Sequence, residues 1–176
     1  SAYDAGSSQY RFEMQGGRLL LPFKGCPEFS LMSGTAQFNH ASRRVNVPSC
    51  RLTTAAGGYL DIKGDWDGSS SSWTANMVVN GVPASSVLEG HWKKHVQGSV
   101  SGGIDLRGGR DGVTHVAGLA RLQGGMLTGL PVLDRLALFC GSSRFRNLPL
   151  HEASAQFAYQ ESAWHISNIL WKAKTW

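Results

Sequence analysis

The sequence alternates apolar and polar residues along most of its length, and no other feature constrains the fold as strongly. Residues 96–109, VQGSVSGGIDLRGG, are the clearest example. Because successive side chains of a β-strand point to opposite faces, this alternation predicts strands with one buried face and one solvated face. The parity predicted to face inward holds only aliphatic residues and glycines: Val96, Gly98, Val100, Gly102, Ile104 and Leu106.

The same period of two recurs in segments around residues 60–66, 73–79, 116–122, 153–159 and 164–166. Connections rich in Gly, Ser, Asn and Asp separate these segments, as in β-hairpins. The composition agrees, since the chain has 22 glycines and 16% charged residues, against about a quarter charged in an average protein. We therefore predict a mainly β fold, an antiparallel meandering sheet, because one solvated face per strand is typical of antiparallel sheets.

Two stretches break the alternation and predict short amphipathic helices. In residues 126–140, apolar residues recur at helical spacing, Pro131 suits the first turn and Gly141 suits the position after the last. The second stretch, residues 82–96, would begin at Pro83 and is weakened by Gly90. The predicted apolar sides comprise Leu130, Leu133, Leu136, Ala137 and Cys140 in the first helix, and Val87, Leu88 and Trp92 in the second.

The chain of 176 residues is long enough to bury a core and shows no shift in composition that would mark a domain boundary. We expect a single module, 1–176, that is a piece of a larger protein. Its net charge of +5 would permit binding to nucleic acid or to anionic lipid. The basic residues are scattered, however, whereas phosphate-tracking surfaces show a stripe of Lys and Arg. The prediction is therefore a protein that does not bind nucleic acid.

The three cysteines cannot form a closed set of disulfides. Cys26 and Cys50 lie in loop-like contexts and could be bridged in an oxidising compartment. Cys140 falls on the apolar side of the predicted helix, where a free, buried thiol is expected.

Motifs that carry chemistry are missing from the sequence. His91 and His95 could share a helix face, but no carboxylate or cysteine at a matching interval completes a metal site. Asp61, Asp65 and Asp67 cluster near a turn, yet nothing apolar surrounds them to raise a pKa for acid catalysis. No nucleophile elbow, phosphate-binding loop or dinucleotide fingerprint is present. The sequence thus predicts a protein that is not an enzyme and uses neither metal nor cofactor.

Six tryptophans invite a carbohydrate-binding interpretation, because exposed indoles stack on sugar faces. Alternation predicts that Trp66, Trp73, Trp164 and Trp171 are instead buried in the core, and Trp92 would anchor its helix. A secreted β-sandwich-like module that binds carbohydrate or protein stays open as the alternative class.

The order of these elements resembles the C-terminal region of AsmA-like proteins. The segment VNGVPASSVLEGHWKKHVQGSVSGGIDLRGG is similar to the family's short helix with a tryptophan, followed by a long glycine-spaced strand. The segment from Thr114 to Ala173 is similar to its strand, its L-x-x-L-x-x-L helix, and its closing strands. The resemblance covers residues 73–171, whereas residues 1–72 align loosely and their two cysteines are not expected from the family.

The resemblance implies a non-enzymatic envelope protein of a diderm bacterium, located in the periplasm and anchored to the inner membrane by an N-terminal helix outside this sequence. It also implies a curved, taco-like β groove that conducts phospholipid acyl chains and serves outer-membrane biogenesis. Glycines between aliphatic residues would let the sheet curve and would leave room for an acyl chain. The residues expected to face this groove are Val96, Val100, Ile104, Leu106, Val116, Leu122, Phe157, Trp164 and Ile166.

An ordinary core is the alternative explanation of the same face. In that case the helix at 126–140 would pack directly on the sheet, and the glycines would serve its close approach.

Overall fold

The computed structural model describes residues 2–4, 9–19, 29–88, 92–129, 131–160 and 162–173. Within them, eleven strands and three short α-helices follow one another along the chain, with a 3₁₀ turn at Ser143–Arg146 before β10. The strands are β1 (Ala2–Asp4), β2 (Gln9–Met14), β3 (Arg18–Leu19), β4 (Phe29–Asn39), β5 (Arg44–Thr54), β6 (Tyr59–Asp67), β7 (Ser72–Pro83), β8 (Val96–Gly109), β9 (Gly112–Thr128), β10 (Asn147–Gln160) and β11 (Ala163–Ala173). The helices are α1 (Ala84–Val87), α2 (Trp92–His95) and α3 (Pro131–Phe139).

All these strands belong to one open, curved sheet. Its order is β1-β2-β4-β5-β6-β7-β8-β9-β10-β11, with β3 paired to β4 outside this path, and every pairing is antiparallel. The prediction of a mainly β, curved, antiparallel meander with short helices is confirmed. A β-sandwich needs two packed sheets, and the described strands form one.

The two ends of the sheet are connected differently. Tight turns at 40–43, 68–71 and 110–111 join strands at one end, which is also the end where β10 leads to β11, and we call it the hairpin end. The connections at 84–95 and 129–146 carry the three helices and lie together at the opposite end, which we call the helical end. The antiparallel meander produces this polarity, because alternate connections of such a sheet return to the same end.

Each side of the sheet has one chemical character, because residues paired across antiparallel strands share a face. Leu52 pairs with Leu60, Leu60 with Val79, and Val79 with Gly102. The series continues from Gly102 through Ala120 to Ala155. We call this side the apolar face and the other side the polar face.

Paired polar side chains run along the polar face. Arg51 donates two hydrogen bonds of 2.6 Å to the carboxylate of Asp61, and Asn76 donates one of 2.8 Å to Asp105 on the next strand. Such exposed pairs contribute less than about 1 kcal/mol each. The register is fixed mainly by the apolar residues, because a slip of one residue would move every apolar side chain into water. The polar pairs are compatible only with that same register.

The best-buried side chains lie near the helical end. Phe29, Leu52, Leu60 and Val82 form one cluster, with Leu52 and Val82 fully buried. Gly81 has a positive φ of 61°, and the register between β7 and β8 shifts by one residue between Val79 and Val82. This β-bulge is the reason that Val82 faces the cluster.

The helices differ in detail from the sequence prediction. Helix α3 begins at Pro131 as expected, but residues 126–128 belong to β9, since they pair with β8 and β10. Cys140 is exposed rather than buried. The helix ends at Phe139, and Ser142 N–H donates to the Ala137 carbonyl in a closing turn that places Cys140 outside the helix. The second stretch forms α1 and α2, and residues 89–91 between them lie outside the described part.

Candidate functional site

The predicted groove residues all lie on the apolar face of β8 to β11. Ile104 pairs with Gly118, and Gly118 pairs with Phe157, which pairs with Ile166. One step along, Leu106, Val116, Tyr159 and Trp164 form a second row across the same four strands. Val100 pairs with Leu122, and Val96 pairs with Leu127. The sequence prediction therefore placed these residues on the correct face.

Burial of these residues decreases towards the edge of the sheet. Val116 is buried, whereas Val96, Val100, Ile104, Leu106, Leu122 and Phe157 are half-buried. On β11, Trp164 is 61% exposed and Ile166 is 64% exposed. A closed core would hide all of these side chains, so the face is open over most of its area. The alternative of an ordinary core describes only the cluster near the helical end.

A cavity of about 290 Å³ lies on this face between β8 and β11. None of the described residues of helix α3 lines this cavity, although Leu133 and Ala137 of that helix are buried. Most of the lining is aliphatic or aromatic, with Arg121 and Ser154 as its polar members. Beyond the predicted groove residues, it includes Ala120, Leu127, Leu150, Ala153, Ala155, Ile169 and Trp171. Their alternation was visible in the sequence, but only the strand register brings them beside Val100 and Leu122.

Gly102 and Gly118 do not leave the open space for an acyl chain that the sequence predicted. A Cβ on Gly102 would lie 2.0 Å from the Leu119 carbonyl oxygen, and one on Gly118 would lie 2.6 Å from both the Gly103 carbonyl oxygen and the Phe157 ring. The backbone of the neighbouring strand therefore lies close to each of these glycines, and a side chain would not fit there. The sheet is curved, but the space at these two glycines is filled by the chain itself.

Three tryptophans expected in the core are exposed. Trp66 is 42% exposed, Trp171 is 59% exposed and Trp164 is 61% exposed. Trp73, in contrast, is half-buried. The reason is that alternation reports which face a residue occupies, and the apolar face has no second layer over it. The side chain of Trp92 lies outside the described residues. Trp164 contacts Tyr159 with ring centroids 5.2 Å apart, which extends the aromatic surface to the edge strand.

Cys50 lies half-buried on the apolar face, opposite Ile62 and Gly34. No described cysteine is bridged to it, and the pKa of its thiol is raised, first by burial and then by the charge of Asp61. Cys26 lies outside the described residues, so the pairing of Cys26 with Cys50 stays a prediction.

The aspartates near the turn at 68–71 serve the polar face. Hydrogen bonding from Arg51 lowers the pKa of Asp61. Asn46 donates to Asp65 over 2.7 Å, and Arg44 lies 3.0 Å from Asp67. A general acid needs a raised pKa, and the pKa values of Asp61 and Asp67 are shifted in the opposite direction.

The pKa of Asp67 gives a prediction that can be checked directly. Hydrogen bonds from the Ser69 side chain and backbone, with a further one from Arg44, lower the pKa of Asp67 to about 2. Since the folded pKa lies below the usual value near 4, this carboxylate contributes to stability above pH 4. That contribution is lost as the pH falls from about 4 to about 2. In an NMR titration of the carboxyl carbon, Ser69→Ala should move the midpoint up, and an unchanged midpoint would contradict the assignment.

Among the described residues, no group of three or more His, Cys, Asp or Glu side chains is placed to hold a metal ion. His95 Nδ1 lies 2.7 Å from the Thr128 carbonyl oxygen, and His91 falls outside the described part. No helix in the described residues has the length and apolarity to cross a membrane.

Comparisons with protein-family models, with curated proteins and with solved structures find no match to this chain.

Proposed function

We propose that this chain is a non-enzymatic, AsmA-like module whose apolar face holds phospholipid acyl chains. The observation that carries the proposal is a continuous apolar face on a single curved sheet, left open by the chain's own helices. Monomeric proteins rarely expose apolar patches larger than a few hundred Å², and larger ones mark binding surfaces. The occupant that suits such a face is long, flexible and apolar.

The dimensions of the face suit an acyl chain. Ten strands lie side by side from β1 to β11, and at about 4.8 Å per spacing they extend over roughly 40 Å. The hydrocarbon core of a bilayer is about 30 Å thick, so one leaflet's chain needs about 15 Å. An acyl chain laid across β8 to β11 would contact the row of Ile104, Phe157 and Ile166 along its length.

The energetics are sufficient without a cofactor or a covalent step. A methylene fully removed from water contributes about 0.8 kcal/mol. About ten methylenes, each covered on one side by the sheet, would therefore contribute roughly 4 kcal/mol. The aromatic rings of Trp164 and Trp171 at the edge would add contact area. Binding of this kind is reversible, as passive lipid conduction requires.

The cellular setting belongs to the proposal as well. A lipid-conducting module of this type would work in the periplasm of a diderm bacterium, as part of an inner-membrane-anchored protein that serves outer-membrane biogenesis. The apolar face would shield acyl chains from water on their way between the membranes.

Mass spectrometry of the protein, purified from bacterial cells without detergent, tests this function. Native spectra should show phospholipid bound at a stoichiometry near one, and solvent extraction should identify its head group. A protein that is free of lipid, and that also fails to take up a fluorescent fatty acid, would overturn the proposal. Quenching of the tryptophans by soluble glycans instead would support the carbohydrate-binding class.

A further inference from the structure

The helical end exposes two consecutive apolar side chains that the sheet does not use. Leu138 is 75% exposed and Phe139 is 91% exposed at the end of α3. On the same helix, Leu133 and Ala137 are buried, so α3 already presents one apolar side to the protein. Leu138 and Phe139 lie outside this buried side and face solvent. Exposing a phenylalanine so fully lowers solubility without any gain in packing.

Positive charge is concentrated at the same end. By sequence, the connections 84–95 and 129–146 carry five basic and two acidic residues, a net charge of +3. The turns of the hairpin end carry two of each and are neutral. The basic residues are Lys93, Lys94, Arg135, Arg144 and Arg146, against Glu89 and Asp134; those of the hairpin end are Arg43 and Arg110, against Asp111 and Glu161.

These features lie close together in the fold. The His95 ring lies 2.7 Å from the Thr128 carbonyl oxygen, which places α2 beside the start of α3. Arg146 lies 3.9 Å from Asp134, which ties the 3₁₀ turn to α3. Helix α3 has nine residues and is about 14 Å long. Exposed Lys93 and Lys94 therefore lie near one end of α3, and Leu138 and Phe139 form its other end.

We propose that the helical end binds the surface of an anionic phospholipid bilayer. Leu138 and Phe139 would insert among the upper acyl chains, while Lys93, Lys94 and Arg135 contact head-group phosphates. Apolar side chains next to basic ones are the combination by which interfacial helices bind anionic membranes. An acidic protein surface is the competing occupant, and the failure of the chain to bind vesicles would favour it. The proposal concerns residues outside the groove and does not depend on the groove holding lipid.

Flotation of the 176-residue chain with vesicles tests this proposal. The protein should bind phosphatidylcholine vesicles that contain phosphatidylglycerol, should bind pure phosphatidylcholine at least tenfold more weakly, and should dissociate as salt is raised. The double variant Leu138→Ser with Phe139→Ser should lower the partition coefficient at least tenfold. Because both side chains are exposed, the fold should be retained.

Matched variants at the hairpin end serve as controls. Val113→Ser removes another exposed apolar side chain and should leave binding unchanged. Lys93→Glu with Lys94→Glu should abolish binding, whereas Arg43→Glu with Arg110→Glu makes the same change in net charge and should weaken it only slightly. Equal losses from both charge reversals, or no binding to either vesicle, would overturn the proposal. Ile104→Glu in the groove should still bind vesicles, which separates this result from a failure of the proposed function.

Discussion

Ile104→Glu should lower the amount of phospholipid that co-purifies with the protein by more than tenfold. Ile104 is half-buried on the apolar face, in the row that it forms with Gly118, Phe157 and Ile166. An acyl chain on this face would therefore press against the new carboxylate. Removing water from an unpaired charge costs several kcal/mol, and 1.4 kcal/mol already corresponds to a tenfold change in affinity. Lipid phosphorus per mole of protein, measured after solvent extraction, is the readout.

Leu119→Glu is the matched control for this substitution. Leu119 is also half-buried and lies on the adjacent strand, but it pairs with Gly103 and Gln156 on the polar face. Lipid content should stay close to that of the unmodified protein. Ser101, a polar residue of β8, is unsuitable because its hydroxyl accepts a 3.0 Å hydrogen bond from the Gly81 N–H in the bulge.

An uncharged substitution separates lost binding from lost stability. Ala120→Phe places a ring in the 290 Å³ cavity and should reduce lipid content without adding a charge to the face. If Leu119→Glu removes as much lipid as Ile104→Glu, or if both Ile104→Glu and Ala120→Phe retain lipid, the acyl-chain site is not on this face.

Gly102→Ala should destabilise the protein by about 3 kcal/mol, at the upper end of what overpacking usually costs. The added Cβ would lie 2.0 Å from the Leu119 carbonyl oxygen. Because that oxygen is backbone, relief requires β8 and β9 to move apart. Single domains have about 5–15 kcal/mol of stability, so the midpoint of urea unfolding should fall clearly.

The neighbouring glycine provides the control. Gly103 has no atom within 4 Å of its would-be Cβ, and its φ lies outside the left-handed region. Gly103→Ala should therefore be neutral or stabilise by up to about 1 kcal/mol, since alanine restricts the unfolded chain. If Gly102→Ala and Gly103→Ala shift the midpoint of urea unfolding equally, the close approach of the Leu119 carbonyl oxygen does not require a glycine at position 102.

The sequence predicted a large part of this fold. The period of two in residues such as Val100, Ile104 and Leu106 predicts antiparallel strands, and it assigned each groove candidate to the correct face. The glycine content of β8 predicted curvature. Pro131 marked the start of α3, because its missing N–H and fixed φ suit a first turn. These are local signals, encoded within a few residues of the element that they describe.

Other features depend on contacts between distant segments. Alternation showed that Trp66, Trp164 and Trp171 occupy the apolar face, but burial depends on whether other side chains cover that part of the face, and all three remain exposed. Likewise, the position of Cys140 depended on where α3 ends.

The sequence by itself determined the strands, their faces and the antiparallel class, because side-chain direction in a strand follows directly from position. Only the tertiary structure decided that one sheet stays open, that the helices gather at one end beside Leu138 and Phe139, and that Gly102 and Gly118 allow the neighbouring backbone to approach closely. The physical reason is that register and coverage arise from pairings between residues far apart in the chain, such as Ile104 with Gly118 and Phe157 with Ile166. No single segment carries that information.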